Sequence, residues 1–267
     1  MSWLEALILG IVQGLTEFLP VSSSGHLEIG QAILGTASEE NLSFAIVVHV
    51  ATVLSTLVIL WREVERLFKG TFTTQWNQEK DYVMKIGVSM IPVFVVGMFF
   101  KDEVEAFFGN GLLLVGVCLI VTASLLALSE WLQRRHQQEG HEVTYRDALI
   151  IGIAQACAVL PGLSRSGTTI ATGLLCGVKK ESVAQFSFLM VLIPILGEAF
   201  LDLLDMMQGE VVSSLGWLPL TVGFLAAFVT GCFACRFMIE IVRRQRLTYF
   251  AIYCLIVGIT AIVYELC

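Results

Sequence analysis

Apolar residues run along this 267-residue chain in long blocks rather than in narrow stripes. Six blocks, at about 43–61, 82–100, 111–132, 183–203, 217–237 and 247–266, approach the roughly 20 residues that an α-helix needs to cross a bilayer. Two further apolar segments, 5–35 and 147–177, are interrupted by proline, glycine and serine. In the first, a helix from about residue 5 to 18 should stop near Pro20, because proline removes a backbone donor and collides with the preceding turn. The serines that follow are good N-caps, so a second helix should begin near Ser24. Each piece is about 14 residues, or about 20 Å at 1.5 Å per residue, too short for the roughly 30 Å hydrocarbon core. A helical hairpin that dips in and returns is the predicted shape. Non-helical backbone at that depth is tolerated only where it is buried in protein or lines a wet cavity.

The broken segments are copies of one another. EALILGIVQGLTEFLPVSSSGHLEIGQAILG at 5–35 is matched by DALIIGIAQACAVLPGLSRSGTTIATGLLCG at 147–177. At an offset of 142, Ala6, Gly10 and Gln13 recur as Ala148, Gly152 and Gln155, and Ser22, Ser24 and Gly25 as Ser164, Ser166 and Gly167. Leu19-Pro20 matches Leu160-Pro161 through a one-residue gap, and Cys118-Leu-Ile-Val is echoed at Cys254. The chain therefore reads as one membrane domain, 1–267, in two repeat halves, 1–140 and 145–267. Each half holds a broken segment followed by three clean spans.

Composition agrees with this class: 56% of residues are hydrophobic and 15% charged, against about 25% charged in a soluble domain. No basic stretch precedes the first apolar run at Trp3, so no cleaved signal peptide is expected. A net charge of −7 without a basic stripe argues against nucleic acid as a partner. The seven cysteines show no disulfide spacing, and Cys232-Phe-Ala-Cys235 reads as packing residues rather than a redox pair.

Charge placement decides the topology. If both broken segments are re-entrant, the loops at 62–81 (with Lys85), 133–146, 178–182 and 236–246 share one side and hold 14 of the 16 basic residues. Short cytoplasmic loops collect Lys and Arg, so that side is the cytoplasm. Lys101 is left on the far side and Arg165 inside the second broken segment. Eight full crossings would instead split the basic residues almost evenly. The expected fold is an all-α integral membrane protein with six full transmembrane helices plus two re-entrant hairpins in an inverted-topology repeat. Inverted repeats with discontinuous helices at the midplane also mark transporters.

Gln13 and Glu17, four apart, share a helix face before the first break. Beyond it come Ser22, Ser23 and His26, and the second tip supplies Ser164, Arg165, Ser166 and Thr169. Helix N-terminal amides with a guanidinium make a phosphate cradle, and the planar fork of arginine can hold two oxygens. Glu17 would repel a phosphate unless a divalent cation, Mg²⁺ or Ca²⁺, bridged them; it could otherwise act as a general base. His26 suits proton transfer near neutral pH, and a hydroxyl of Ser22 or Ser23 could be the nucleophile. A buried Arg165 is the strongest single signal, because charge at mid-bilayer is costly without a function or a partner. His49 and Glu198, inside spans, are candidates for supporting roles by the same reasoning.

At Gln13-Gly-Leu-Thr-Glu17, continuing Phe-Leu-Pro-Val-Ser-Ser-Ser-Gly-His26, and at Pro161 to Thr169, the chain resembles the undecaprenyl pyrophosphate phosphatase family of the bacitracin-resistance type. These stretches fit its (E/Q)xxxE and PGxSRSxxT motifs, and the likeness runs essentially end to end. The resemblance implies a bacterial plasma-membrane enzyme that releases the terminal phosphate of undecaprenyl pyrophosphate and returns the lipid carrier to cell-wall synthesis. It implies a divalent-metal requirement and a site opening to the outer, periplasmic side. Carried over by position, Gln13, Glu17, Ser22, Ser23, His26, Ser164, Arg165 and Thr169 form the site, with Gln13 standing where many relatives have Glu. Glu17 and Gln13 are the expected metal ligands, Ser23 the preferred nucleophile, and Ser22, Ser164, Arg165, Ser166 and Thr169 the substrate contacts. The expected partners are a polyprenyl pyrophosphate and membrane lipids, with a homodimer as an option. A flippase of undecaprenyl phosphate working at the same midplane site is the alternative.

Overall fold

The computed structural model describes residues 1–36, 38–100, 111–135, 140–208, 215–244 and 247–266. Among these it is all-helical, apart from one isolated bridge between His141 and Val178. In chain order the helices are α1 (Trp3–Thr16), α2 (Ser23–Leu34), α3 (Ser38–Ile59), α4 (Trp61–Thr71), α5 (Gln78–Phe99) and α6 (Gly111–Arg135). They continue as α7 (Tyr145–Cys157), α8 (Arg165–Leu175), α9 (Lys180–Gln208), α10 (Trp217–Arg244) and α11 (Thr248–Leu266).

The repeat is written into the helix caps. Ser2 caps α1 in a reciprocal box with Glu5, and Thr144 caps α7 in the same box with Asp147. Such boxes satisfy two of the orphan donors at a helix start. Ser22 caps α2 by accepting from the Gly25 N–H at 3.3 Å, and Ser164 caps α8 by accepting from Gly167 at 3.1 Å. Each second cap stands 142 positions after the first, the offset of the repeat. Helix α1 stops at Thr16 rather than 18, since the turn through Pro20 already bends the residues before it.

Both broken segments fold back on themselves. A Cβ at Gly30 would lie 2.8 Å from Leu9 Cδ2, and one at Gly173 would lie 3.2 Å from Ile151 Cδ1, so α2 returns along α1 and α8 along α7. The two turns then meet. A Cβ at Gly25 would stand 3.0 Å from Gly162 Cα, and one at Gly167 would stand 3.3 Å from Pro20 Cβ. Glycine of each tip thus faces the turn of the other, the reciprocal pattern of a two-fold relation. Gly162 itself adopts φ +85, where a side chain would be strained, and Val115 O would be 2.5 Å from its Cβ.

Long helices surround the hairpins. Five stretches are long and apolar enough to cross a membrane: α5, α6, Lys180–Gly197 of α9, Trp217–Phe237 of α10, and α11. A sixth is formed if α3 from Ser43 is taken with α4, which bends away from it by 73°. The stretch expected as loop, 62–81, therefore contains a helix, supported by Glu63–Arg66 and Glu65–Lys69 pairs one turn apart. Close crossings rest on glycine, as in other membrane bundles. Gly116 of α6 and Gly258 of α11 would each place a Cβ within 2.8 Å of the other's carbonyl oxygen, and they too are 142 apart. Gly10 packs α1 against the Gly223 carbonyl of α10, while Gly152 packs α7 against the Ser89 carbonyl of α5. Each hairpin's first helix therefore leans on a helix of the other half.

One end of the bundle gathers the basic residues. Buried Glu130, near the end of α6, pairs with Arg134 at 3.1 Å and Lys180 of α9 at 4.0 Å, and accepts from the Leu247 N–H at the start of α11. Tyr145 of α7 donates to Asp81 of α5 at 2.7 Å, and Lys179 reaches Glu142. The segment starts at 78, 145, 180 and 247 and the α6 end thus lie together. The α1–α2 hairpin opens elsewhere: Ala6, Met1 and Leu34 cluster with Leu215 and Leu220, where α10 starts rather than ends. The Cys232 and Cys235 thiols are free.

Candidate active site at the hairpin tips

Glu17 is the meeting point of the polar groups. Its side chain is 4% exposed, and one carboxylate oxygen accepts from Gln13 Nε2 at 2.7 Å, as their four-residue spacing predicts. The other oxygen faces the Arg165 guanidinium at 3.7 Å, so the carboxylate of one tip meets the arginine of the other. On the Gln13 side, His49 Nε2 of α3 stands 3.7 Å from Glu17 Oε2, while its Nδ1 is bonded to the Ala45 carbonyl at 3.0 Å. His49, a candidate for a supporting role as an ionisable residue in a span, thus stands beside Glu17. The side chain of Glu198 lies outside the described residues.

The first tip holds its serines and histidine under backbone strain. Ser22 has φ 68, a left-handed value rare for any residue but glycine. That turn aims the Ser22 carbonyl at His26 Nδ1, 2.7 Å away. The other ring nitrogen, Nε2, lies 2.9 Å from the hydroxyl of Tyr253 on α11, with the two rings nearly parallel. Ser23 opens α2 and is buried, and its hydroxyl has no hydrogen-bond partner among the described residues. The structure thus does not join His26 to Ser23 by a hydrogen bond.

The second tip is held by hydroxyls. The Ser164 N–H donates to Thr122 of α6 at 3.1 Å, and Ser166 donates to the Leu19 carbonyl of the first tip at 3.3 Å. Thr169 is tied to the Arg165 carbonyl at 2.9 Å and to the Ser187 hydroxyl of α9 at 2.5 Å. With α2 starting at Ser23 and α8 at Arg165, two helix N-termini converge where the tips touch. Amides and dipoles at helix starts favour an anion at that point. Among the described residues, no group of three or more His, Cys, Asp and Glu could hold a metal. Among the described residues the fully buried Gln13 Oε1 has no hydrogen-bond partner, so it and the Glu17 oxygens are the groups that would hold a divalent cation.

Tyr253, Thr122 and Ser187 carry no local signal in the sequence. Each sits in an apolar run, where a lone hydroxyl reads as a helix-packing or lipid-facing residue.

These features define a multi-pass helical membrane protein in which two helix-hairpin tips bring Arg165, Glu17 and two helix N-termini together. The chain belongs to the bacitracin resistance protein BacA family, whose model matches residues 6–260. It is 61% identical over 267 residues to an undecaprenyl-diphosphatase of Bacteroides thetaiotaomicron, with 100% of both chains covered. It is 60% identical over 264 residues to one of Bacteroides fragilis, covering 98% of each. A more distant undecaprenyl-diphosphatase, of Oceanobacillus iheyensis, is 37% identical over 264 residues, covering 96% of this chain and 94% of that protein.

Proposed function

We propose that this chain is an undecaprenyl-diphosphatase, hydrolysing undecaprenyl pyrophosphate to undecaprenyl phosphate and inorganic phosphate within the bacterial plasma membrane. The observation that carries the chemistry is the approach of Arg165 to Glu17 across two touching tips, where two helix N-termini also converge. Arg165 and the N-terminal amides of α2 and α8 grip the pyrophosphate, with Ser22, Ser164, Ser166 and Thr169 shaping the cradle. Glu17 and Gln13 would hold a divalent cation, Mg²⁺ or Ca²⁺, which would supply positive charge to offset that of the phosphates. The Ser23 oxygen attacks the terminal phosphorus, the bridging P–O bond breaks, and undecaprenyl phosphate leaves with the bonding pair. His26 takes the hydroxyl proton, and water then releases phosphate from Ser23. The polyprenyl tail extends sideways between helices into lipid.

The topology is six spans plus two re-entrant hairpins, inverted between halves. It is supported by the basic ends of α6, α9 and α11 lying together around Glu130, which eight full crossings would separate. Lys and Arg mark that end as cytoplasmic, so the first hairpin enters from the periplasmic side and the site opens there.

Transport of undecaprenyl phosphate is the less supported reading, because the relatives are named for hydrolysis. Purified chain in vesicles separates the two. Phosphate release from undecaprenyl pyrophosphate is expected, whereas lipid crossing between leaflets without any release would overturn the enzyme assignment.

A further inference from the structure

His26 is gripped from both sides, and the two grips differ in kind. The Ser22 carbonyl at 2.7 Å can only accept, so Nδ1 carries a proton whether the ring is neutral or charged. In the neutral ring Nε2 therefore holds the lone pair, and the Tyr253 hydroxyl at 2.9 Å is its donor. Once Nε2 gains a proton it becomes a donor, and the same hydroxyl can turn and accept. A hydroxyl is one of the few side-chain groups able to serve both states without moving its heavy atom.

The placement of Tyr253 is not casual. Its ring lies 5.5 Å from the imidazole centroid at an interplanar angle of 8°, which orients the ring plane as well as the nitrogen. The next residue, Cys254, is fully buried and sets its thiol 3.6 Å from the Pro20 carbonyl at the first tip. Two consecutive residues of α11 thus hold the first hairpin's turn and its histidine.

We propose that Tyr253 is a positioning residue for His26, fixing the plane of a ring whose tautomer the Ser22 carbonyl sets, and hydrogen-bonded to Nε2 before and after proton transfer. The proposal rests on the phosphatase reading, in which His26 takes the proton of the attacking hydroxyl. In that step the Tyr253 O–H first turns off the Nε2 lone pair, the proton of the attacking oxygen takes its place there, and Tyr253 then accepts from the new Nε2–H without losing its own proton. The second repeat half thereby contributes to the proton-transfer group of the first, besides supplying Arg165.

The test uses the full-length chain purified in detergent, with Tyr253→Phe, Tyr253→Leu and His26→Ala. Tyr253→Phe keeps the ring and removes the hydroxyl. It should lower kcat for phosphate release by about tenfold, the scale of one hydrogen bond to a charged group, with KM within about twofold and the melting temperature unchanged. Tyr253→Leu, lacking ring and hydroxyl, should fall further. Independently of activity, the ¹⁵N resonance of His26 Nε2 should move toward that of an unbonded imidazole nitrogen in Tyr253→Phe. With four histidines in the chain, His26→Ala assigns the signal. A Tyr253→Phe enzyme with wild-type kcat and an unmoved Nε2 resonance overturns the positioning role, while loss of activity in His26→Ala would leave the site reading standing. Wild-type turnover in His26→Ala would instead overturn the site reading, and the Nε2 shift would still report whether the hydrogen bond exists.

Discussion

Glu17 sits between Gln13, His49 and Arg165, and Coulombic attraction in a poorly hydrated site makes such a cluster responsive to any entering anion. A phosphate competing for Arg165 must loosen the hold of Glu17 on it, which a cation at Glu17 would ease. Removing either partner takes away the opposite charge that the other faces across the tips. Arg165→Ala and Glu17→Ala should each cut kcat/KM for phosphate release by about a hundredfold or more, on the scale of losing a buried, hydrogen-bonded charge. Arg165→Lys should not restore it, since an ammonium lacks the planar fork. Chelation of divalent cations should suppress release by the wild-type chain; unchanged release would remove the metal and leave Glu17 as a base. Arg165 and Glu17 were legible because charge stands out in an apolar run. Tyr253 and Thr122 were not, because their importance comes only from residues more than 40 positions away that the fold brings to them.

The elements follow from a few punctuating residues. Pro20 and Pro161 break the two segments, serines restart them, and repeat-spaced caps at Ser2 and Thr144 begin them. All of that was readable, including the turn-back, from helix length against bilayer thickness. The bend of 73° between α3 and α4 was not, since no proline or glycine marks Leu60 and the break lies where apolar sequence gives way to paired charges. Tip-to-tip contact depends on glycine at particular positions. Gly162→Ala places a side chain at φ +85 and against Val115 O, so it should destabilise the protein by about 2 kcal/mol and lower its melting temperature by several degrees. Gly87→Ala, at a site with nothing within 4 Å of the added carbon, should leave the melting temperature unchanged or slightly raised.

At the scale of the molecule, the two repeat segments bring unlike residues from like positions together at their tips. Gly116 and Gly258 meet as repeat counterparts, while Glu17 and its counterpart position, Val159, have diverged. In the proposed mechanism the first copy supplies Glu17, His26 and Ser23, and the second supplies Arg165. Orientation can be read by cysteine labelling in a functional chain whose native cysteines have been replaced. Arg134→Cys and Lys179→Cys should both react only from the cytoplasmic side, and labelling of the two from opposite faces would contradict the inverted arrangement. The unlike residues of the two tips were legible in the repeat, but the approach of Arg165 to Glu17 required the tips to be seen in contact. The most direct test of the account is phosphate release from undecaprenyl pyrophosphate by the purified wild-type chain beside a folded Arg165→Ala variant. Release by the wild type with at least about a hundredfold loss in the variant is expected; equal release by both, or none by the wild type, would contradict it.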